Sequence, residues 1–424
     1  VATVVGVLKK AVLLLFATAL LFFPTGCWDQ MDPEELGIIL TIALDQAPDG
    51  RVRLLAQIIN PKALVGGGQG GGMGGGASIS FFRNISSEGN TILECIRLLS
   101  LHAPSKLFFS HNQLVLISEE LARNRDIEEL MDFFDRNQQF RRNNWVLITR
   151  SDPSSIMGSP GVTQATPSQR IVSIIRHQDL NSFYPDIRLG EFIKNLEDEG
   201  GDVFAAGIQI EPNEAEVRER LAGEVAGNGN YDGREIIGTL IKLGGTAVFK
   251  DSRLVGWLNE RESRGLLWIR GKVKGGEITV PCSPEEADGQ NKSFSLEISR
   301  SDARLQPEIS GEDLNVTVKI NVTATVHEIE CMEEVGSPAF LRSLEKGLAS
   351  AVQVEVEAAL AKAQQEYQSD VFGFGEAFYR KNPVMWGDLK PNWPEIYRNL
   401  PVYLEVDARV TRTGLITKPV EVSR

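Results

Sequence analysis

Two stretches near the C-terminus carry the plainest hydrophobic patterns in the chain. Leu314, Val316, Val318, Ile320, Val322, Ala324 and Val326 alternate with Asn315, Thr317, Lys319, Asn321, Thr323 and Thr325. A period of two gives a strand with one buried and one wet face. Downstream, Leu341, Leu344, Leu348, Val352, Val356, Leu360, Ala363 and Tyr367 step by three or four. That spacing predicts a helix of about eight turns with a single apolar stripe. Alternation returns at Val402, Leu404, Val406, Ala408 and Val410. Strand, long helix and strand predict an α+β unit in which the helix packs on a sheet.

Elements are shorter in the first half. Residues 36–45 and 51–60 are apolar, β-rich runs separated by Gln46-Ala-Pro-Asp-Gly50, which is turn chemistry and predicts a hairpin. A strand at 79–85 precedes a helix at 91–101, where Ile92, Ile96 and Leu99 share a face. A strand at 112–118 ends on Ser118, a fitting N-cap for helices at 119–123 and 127–136, and another strand follows at 145–150. Residues 151–169, rich in serine, proline and glycine, read as a connection to helices at 169–178 and 189–198. Short strands are expected at 203–210, 236–241, 246–250 and 254–258, then a helix at 261–267 and a strand at 272–281. The charged, glycine-containing stretch 211–233 reads as an exposed loop or short helix. The fold class is α+β, with two to three domains of mixed and antiparallel sheets covered by helices. Changes of pattern divide it into residues 27–200 (an N-terminal α+β domain), 201–300 (a β-rich middle) and 301–424 (the C-terminal α+β domain).

Residues 1–26 stand apart. Lys9-Lys10 is followed by thirteen largely apolar residues, Ala11 to Phe23, and then by Pro24-Thr25-Gly26-Cys27. A positive start, an apolar run too short to span a bilayer and a small-residue cleavage site describe an export signal. The small residues before Cys27 are those of a bacterial lipobox, with proline at Pro24 where leucine is usual. In that reading Cys27 is lipidated, and two acyl chains hold the protein stably on a membrane. An uncleaved anchor and an ordinary secretory signal are the alternatives.

Composition removes several function classes. The 424 residues hold 44 lysines and arginines against 57 aspartates and glutamates, a formal charge of −13. Cleavage before Cys27 would remove Lys9 and Lys10, leaving 42 − 57 = −15. Such a chain is a poor nucleic-acid binder and is repelled by anionic lipid, so in the lipobox reading the acyl chains on Cys27 have to hold it at the membrane. The four histidines, His102, His111, His177 and His327, are scattered. No metal-ligand spacing and no Gly-x-Ser-x-Gly elbow occurs, so neither an enzyme nor a cofactor or metal is expected. Nine of the eleven residues in 66–76 are glycine, but no Gly-Lys-Ser/Thr follows, and the segment reads as a surface loop and not as a phosphate cradle. Cys95, Cys282 and Cys331 have no framework spacing, and no disulfide is assigned. The sequence Phe372-Gly373-Phe374-Gly375 after the long helix has two readings: a helix stop with left-handed glycine, or a partner-facing patch of aromatic and glycine residues.

Several strings together resemble one family. Gly26-Cys-Trp-Asp29 leads to Glu34-Glu-Leu36 and Ile42-Ala-Leu-Asp45, and Glu119-Glu-Leu-Ala-Arg123 follows. Phe249-Lys-Asp251, Leu254-Val-Gly-Trp257-Leu and Glu262-Ser-Arg-Gly265-Leu-Leu-Trp268 come next, then Gln365-Glu-Tyr-Gln-Ser-Asp370-Val-Phe-Gly373 before Trp386 and Trp393. Over nearly the whole mature chain this resembles the Ger(x)C family, the lipoprotein C-subunits of spore germinant receptors. The resemblance implies a three-domain α+β fold and a non-enzymatic role on the outer face of the spore's inner membrane. Integral-membrane A- and B-type subunits would be the partners, with the nutrient germinant bound by the permease-like one. Cys27 is the one position carried over. A solute-binding lipoprotein of a transporter is the alternative, and it would need two doubly wound lobes.

Overall fold

The structure, a computed structural model, describes residues 6–7, 9–14, 36–59, 81–159, 166–212, 239–282, 292–311, 313–330 and 337–412. Cys27, Cys331, the glycine-rich loop 66–76 and the charged stretch from 213 onward lie outside them. Residues 6–7 and 9–14 are helical and exposed, in a unit of their own that ends at Leu36. Among the described residues no helix is long and apolar enough to cross a membrane.

The hairpin read from the sequence is β1 (Leu36–Gln46) against β2 (Val52–Ile59), closed by a turn in which Gly50 is left-handed (φ 83°). With β3 (Phe82–Gly89) it forms an antiparallel flank. The centre is parallel, because β1 also pairs with β5 (Leu114–Ser118), and β5 with β6 (Trp145–Thr149). Every residue of β5 and β6 is buried, which is why both appear as unbroken apolar runs without alternation. The short β4 (Lys106–Phe108) pairs with β1 off the main path.

Helices cover both faces. On one lie α1 (Ile92–Ser100), α2 (Glu119–Asn124), α3 (Ile127–Arg136) and α6 (Leu189–Glu197), placing Ile92, Leu130 and Phe192 in one cluster with Ile42, Val115 and Ile148. On the other, α4 (Pro153–Gly158) and α5 (Pro167–Arg176) bring Ile156, Ile171 and Ile175 onto Leu116 and Leu147. The predicted N-cap holds: the Ser118 hydroxyl accepts from the Leu121 N–H at 3.2 Å.

The division expected at residue 200 is not where the sheet divides. β7 (Phe204–Pro212), β8 (Thr239–Lys250) and β9 (Arg253–Leu258) extend the same nine-stranded sheet, in the order β3-β2-β1-β5-β6-β7-β8-β9. β8 is one strand where the sequence suggests two, because Gly244-Gly245 interrupts its pattern without ending the pairing. The boundary expected at 300 falls inside β11 (Ser293–Ser310). Sheet membership depends on pairing between distant segments, and a change of composition does not report it.

The second sheet runs β10 (Glu277–Pro281), β11, β12 (Asp313–Ile329) and β13 (Val402–Arg412), antiparallel except for the parallel β12–β13 pair. The predicted helix is α8 (Pro338–Leu360), with Leu344, Leu348, Val352 and Val356 buried against the sheet's apolar face. It continues through a π-helical turn, Ala361–Glu366. Three short helices, α9 (Phe374–Lys381), α10 (Pro383–Leu389) and α11 (Trp393–Asn399), lead back to β13. Between the sheets lies α7 (Glu260–Ile269), buried from Ser263 to Ile269, and one hydrophobic core runs from the first sheet into the second. This second half is not a second doubly wound lobe. Cys282 is disulfide-bonded, whereas Cys95 is a free thiol in the core.

Candidate functional site

Three of the strings that carry the family resemblance, Leu254–Leu258, Glu262–Trp268 and Gln365–Gly373, meet at the junction of the two sheets. In Glu262-Ser-Arg-Gly265-Leu-Leu-Trp268 each polar or small residue has a distinct task. Glu262 and Asn259 form a reciprocal capping box that starts α7. One turn on, Arg264 reaches Glu355 on α8 with two hydrogen bonds, Nε to Oε2 at 2.8 Å and Nη2 to Oε1 at 2.5 Å. Trp268 Nε1 donates to the same Glu355 Oε2 at 2.9 Å, and Arg264 Nη1 donates to the Glu277 carbonyl at 2.6 Å. Gly265 lets the helices touch: a Cβ there would stand 2.1 Å from the Glu355 carbonyl oxygen. Both charged groups are nearly inaccessible, and mutual pairing is what makes their burial tolerable.

A second polar node follows α8. The residue that takes the left-handed conformation after the helix is Gln368 (φ 53°), and Gly373 (φ 77°) is instead the N-cap of α9. Between them, Ser369 and Asp370 are buried. The Asp370 carboxylate accepts from the N–H groups of Gly373 and Phe374 (3.0 Å each) and Gly375 (2.7 Å), and from Trp393 Nε1 (3.2 Å). Its backbone exchanges bonds with Asp202 at the entrance to β7: Asp370 N–H donates to Asp202 Oδ2 at 2.8 Å, and Asp202 N–H donates to the Asp370 carbonyl at 3.0 Å. Ser369 Oγ donates to the Phe249 carbonyl of β8, and Tyr397 Oη to the Ser369 carbonyl. The loop thus clasps the first sheet to the helices that follow α8. Burial pushes Asp370 up to about 7 and Asp202 up to about 6, outweighing the backbone N–H bonds that pull both down.

The four residues read as a possible interface are inside this clasp. Phe372 and Phe374 are fully buried and stack at 5.3 Å, and Gly373 and Gly375 are also buried. A Cβ on Gly375 would meet the Gly200 carbonyl at 2.2 Å, and one on Gly373 would meet the Arg270 guanidinium at 2.5 Å. These side chains offer no surface to a partner; Gly375 is there because the backbone packs too closely for anything larger, and Gly373 because its φ is left-handed. Cys27, the lipidation candidate, is outside the described residues. The sequence reading missed Asp370, Asp202, Arg264 and Glu355. The one local signal was an aspartate three residues before a glycine that opens a helix.

A third contact completes the junction. Tyr367 Oη donates to the Trp257 carbonyl (2.9 Å) and accepts from the Trp257 N–H (3.1 Å), and Trp257 Nε1 donates to Glu119 Oε1 (3.0 Å). None of these nodes pairs a nucleophile with a base. Among the described residues no group of three or more His, Cys, Asp or Glu could hold a metal ion.

The class this defines is an α+β protein whose buried polar chemistry is spent on locking two sheets together. Family models of spore germination proteins account for most of it: an N-terminal domain matches residues 29–210, and a B3/GerAC-like C-terminal domain matches residues 244–414. The chain belongs to the Ger(x)C family of spore germination proteins. Spore germination protein KC of Bacillus subtilis is 28% identical over 416 residues, covering 97% of each chain. Spore germination protein B3 of the same organism is 24% identical over 397 residues, covering 93% of this chain and 95% of that one. The crystal structure of the GerBC protein matches with a TM-score of 0.53 at 17% identity, covering 87% of this chain and 96% of that chain, and shares the fold.

Proposed function

We propose that this chain is the lipid-anchored, non-enzymatic subunit of a nutrient germinant receptor, needed for spore germination. The observation that carries the reading is the end-to-end match to germination proteins of Bacillus subtilis, without large unmatched regions in either chain. The lipobox supports an anchor at Cys27, and an acidic chain without a described membrane-crossing helix fits a protein tethered through acyl chains. Integral-membrane A- and B-type subunits are the partners, on the outer face of the spore's inner membrane, and the permease-like partner binds the nutrient.

Two experiments test this. Deleting the gene should abolish germination in response to at least one nutrient while leaving the others intact; a normal response to every nutrient, with paralogues removed, overturns the reading. Cys27→Ser should leave the protein unprocessed and shift it out of the lipid-modified membrane fraction. Unchanged processing overturns the anchor alone.

A further inference from the structure

Long strand β11 contains a fault in its pairing that coincides with a cleft. Phe294, Leu296 and Ile298 alternate into the core across a first register shift at Ser295/Leu296, where β12 carries the extra residue; a second shift, between Ile298 and Arg300, puts the extra residue, Ser299, on β11. In a regular strand, neighbours face opposite sides of the sheet. Here Ser299, Arg300 and Ser301 all line one cleft of about 500 Å³, which the bulge makes possible. The opposite wall comes from the first half of the chain, Gln178 and Asp186, and the connector Gly271–Lys274 forms the remainder. The cleft therefore lies between segments from the two family domains, a common location for ligand sites.

Its chemistry is cationic in a chain of net charge −13. Lys272 is paired with Glu191, and Lys274 with Asp186 at 3.4 Å. The Arg300 side chain has neither an ion pair nor a hydrogen bond among the described residues, and its guanidinium is exposed. Gln178 closes the cleft from the other side: it is buried and its Nε2 donates to the Tyr184 carbonyl at 2.6 Å, so the groups that can receive an anion are the cations across the cleft. A smaller cavity of about 230 Å³ near Arg150 makes the contrast: its Lys242 is held by both Glu211 and Glu260 at 3.1 Å.

We propose that the cleft between Gln178 and the β11 bulge binds a small anion, a carboxylate or phosphate group, through Arg300 with Lys272 and Lys274 beside it. Guanidinium takes such groups in a planar two-bond grip, which sets Arg300 apart from the paired lysines. Occupancy would bridge segments from the two family domains and stiffen their junction.

The test is equilibrium dialysis of the full chain in neutral detergent against inorganic phosphate and, separately, acetate, with sodium chloride holding ionic strength constant. Saturable binding of either, with Kd below about 10 mM, is expected, and the arm that binds names the group. Arg300→Gln should weaken it by roughly tenfold or more, the worth of a charge-assisted bond. Arg304→Gln, an exposed arginine farther along β11 that does not line the cleft, should leave it unchanged. Absence of saturable binding for both ions overturns the proposal. So does binding that Arg300→Gln does not alter, or that Arg304→Gln weakens equally. Arg300 is at the surface, so its loss does not threaten folding, and Lys274→Gln gives a second, milder reading.

Discussion

Arg264 and Glu355 are joined by a two-bond ion pair sealed between α7 and α8, with side-chain exposures of 4% and 8%. Each group has a further partner: Trp268 Nε1 serves the carboxylate, and the Glu277 carbonyl accepts from the guanidinium. Removing one member would strand the other's charge in the core. Glu355→Ala should cost about 3–5 kcal/mol in denaturant unfolding, whereas Arg264→Met with Glu355→Leu should cost far less. Equal losses for the single and double variants would sink this account.

The glycine beside that pair is held by space and not by backbone conformation. Gly265→Ala puts a methyl group where the Glu355 carbonyl and the Ala359 Cβ already are, at 2.1 and 2.8 Å. Forcing the helices apart should cost about 1–3 kcal/mol and lower the denaturant midpoint. Exposed Gly387, which has nothing within 4 Å, should accept alanine without such a loss.

Acid should favour the clasp. In the folded chain Asp202 and Asp370 lie near 6 and 7, above the ordinary 3.8 of the unfolded chain. The folded state therefore keeps protons that the unfolded state has released between about pH 4 and 7, and stability falls as pH rises through that window. For Asp370 the rise from 3.8 to about 7 corresponds to roughly 4 kcal/mol. Asp202→Asn keeps an oxygen for the Asp370 N–H while removing one buried charge. Its melting temperature should exceed that of the unaltered protein at pH 7.5 by a few degrees, with the gap closing toward pH 4.5. A constant gap across that range would refute the assignment.

The Tyr367 hydroxyl both gives to and takes from the Trp257 backbone, so Tyr367→Phe leaves a partly buried N–H and carbonyl without partners. About 1–3 kcal/mol should be lost. Hydrogen exchange should report faster exchange at the Trp257 amide, with little change at Leu116 in the buried centre of the first sheet.

The legible parts of this chain were those in which one segment decides its own structure. Alternation along β12 and the stripe on α8 needed no knowledge of their neighbours. β11 went unread although it is the longer strand, because its apolar phase flips from even to odd positions at the bulge, from Phe294, Leu296 and Ile298 to Ala303, Leu305 and Ile309. The same break that hid the strand shapes the cleft. At the clasp, the glycines and phenylalanines drew notice as unusual residues, while Asp370 organises them. Its other partners, Asp202 and Trp393, are 168 and 23 positions away, and no periodicity announces such pairs. The resemblance of Glu262–Trp268 to a family was visible in the sequence, but what Glu262, Arg264, Gly265 and Trp268 do there, capping the helix and pairing it with α8, required coordinates.

β13 pairs parallel to β12, Val316 beside Val402, and everything from α8 to α11 is made between them. Until the ribosome has delivered those intervening helices, one long side of β12 has no neighbour, and its row of unpaired amides is open to any other extended chain. The order of synthesis therefore imposes a vulnerable interval on this protein. An export pathway that held the chain unfolded until its C-terminus arrived would keep that interval short.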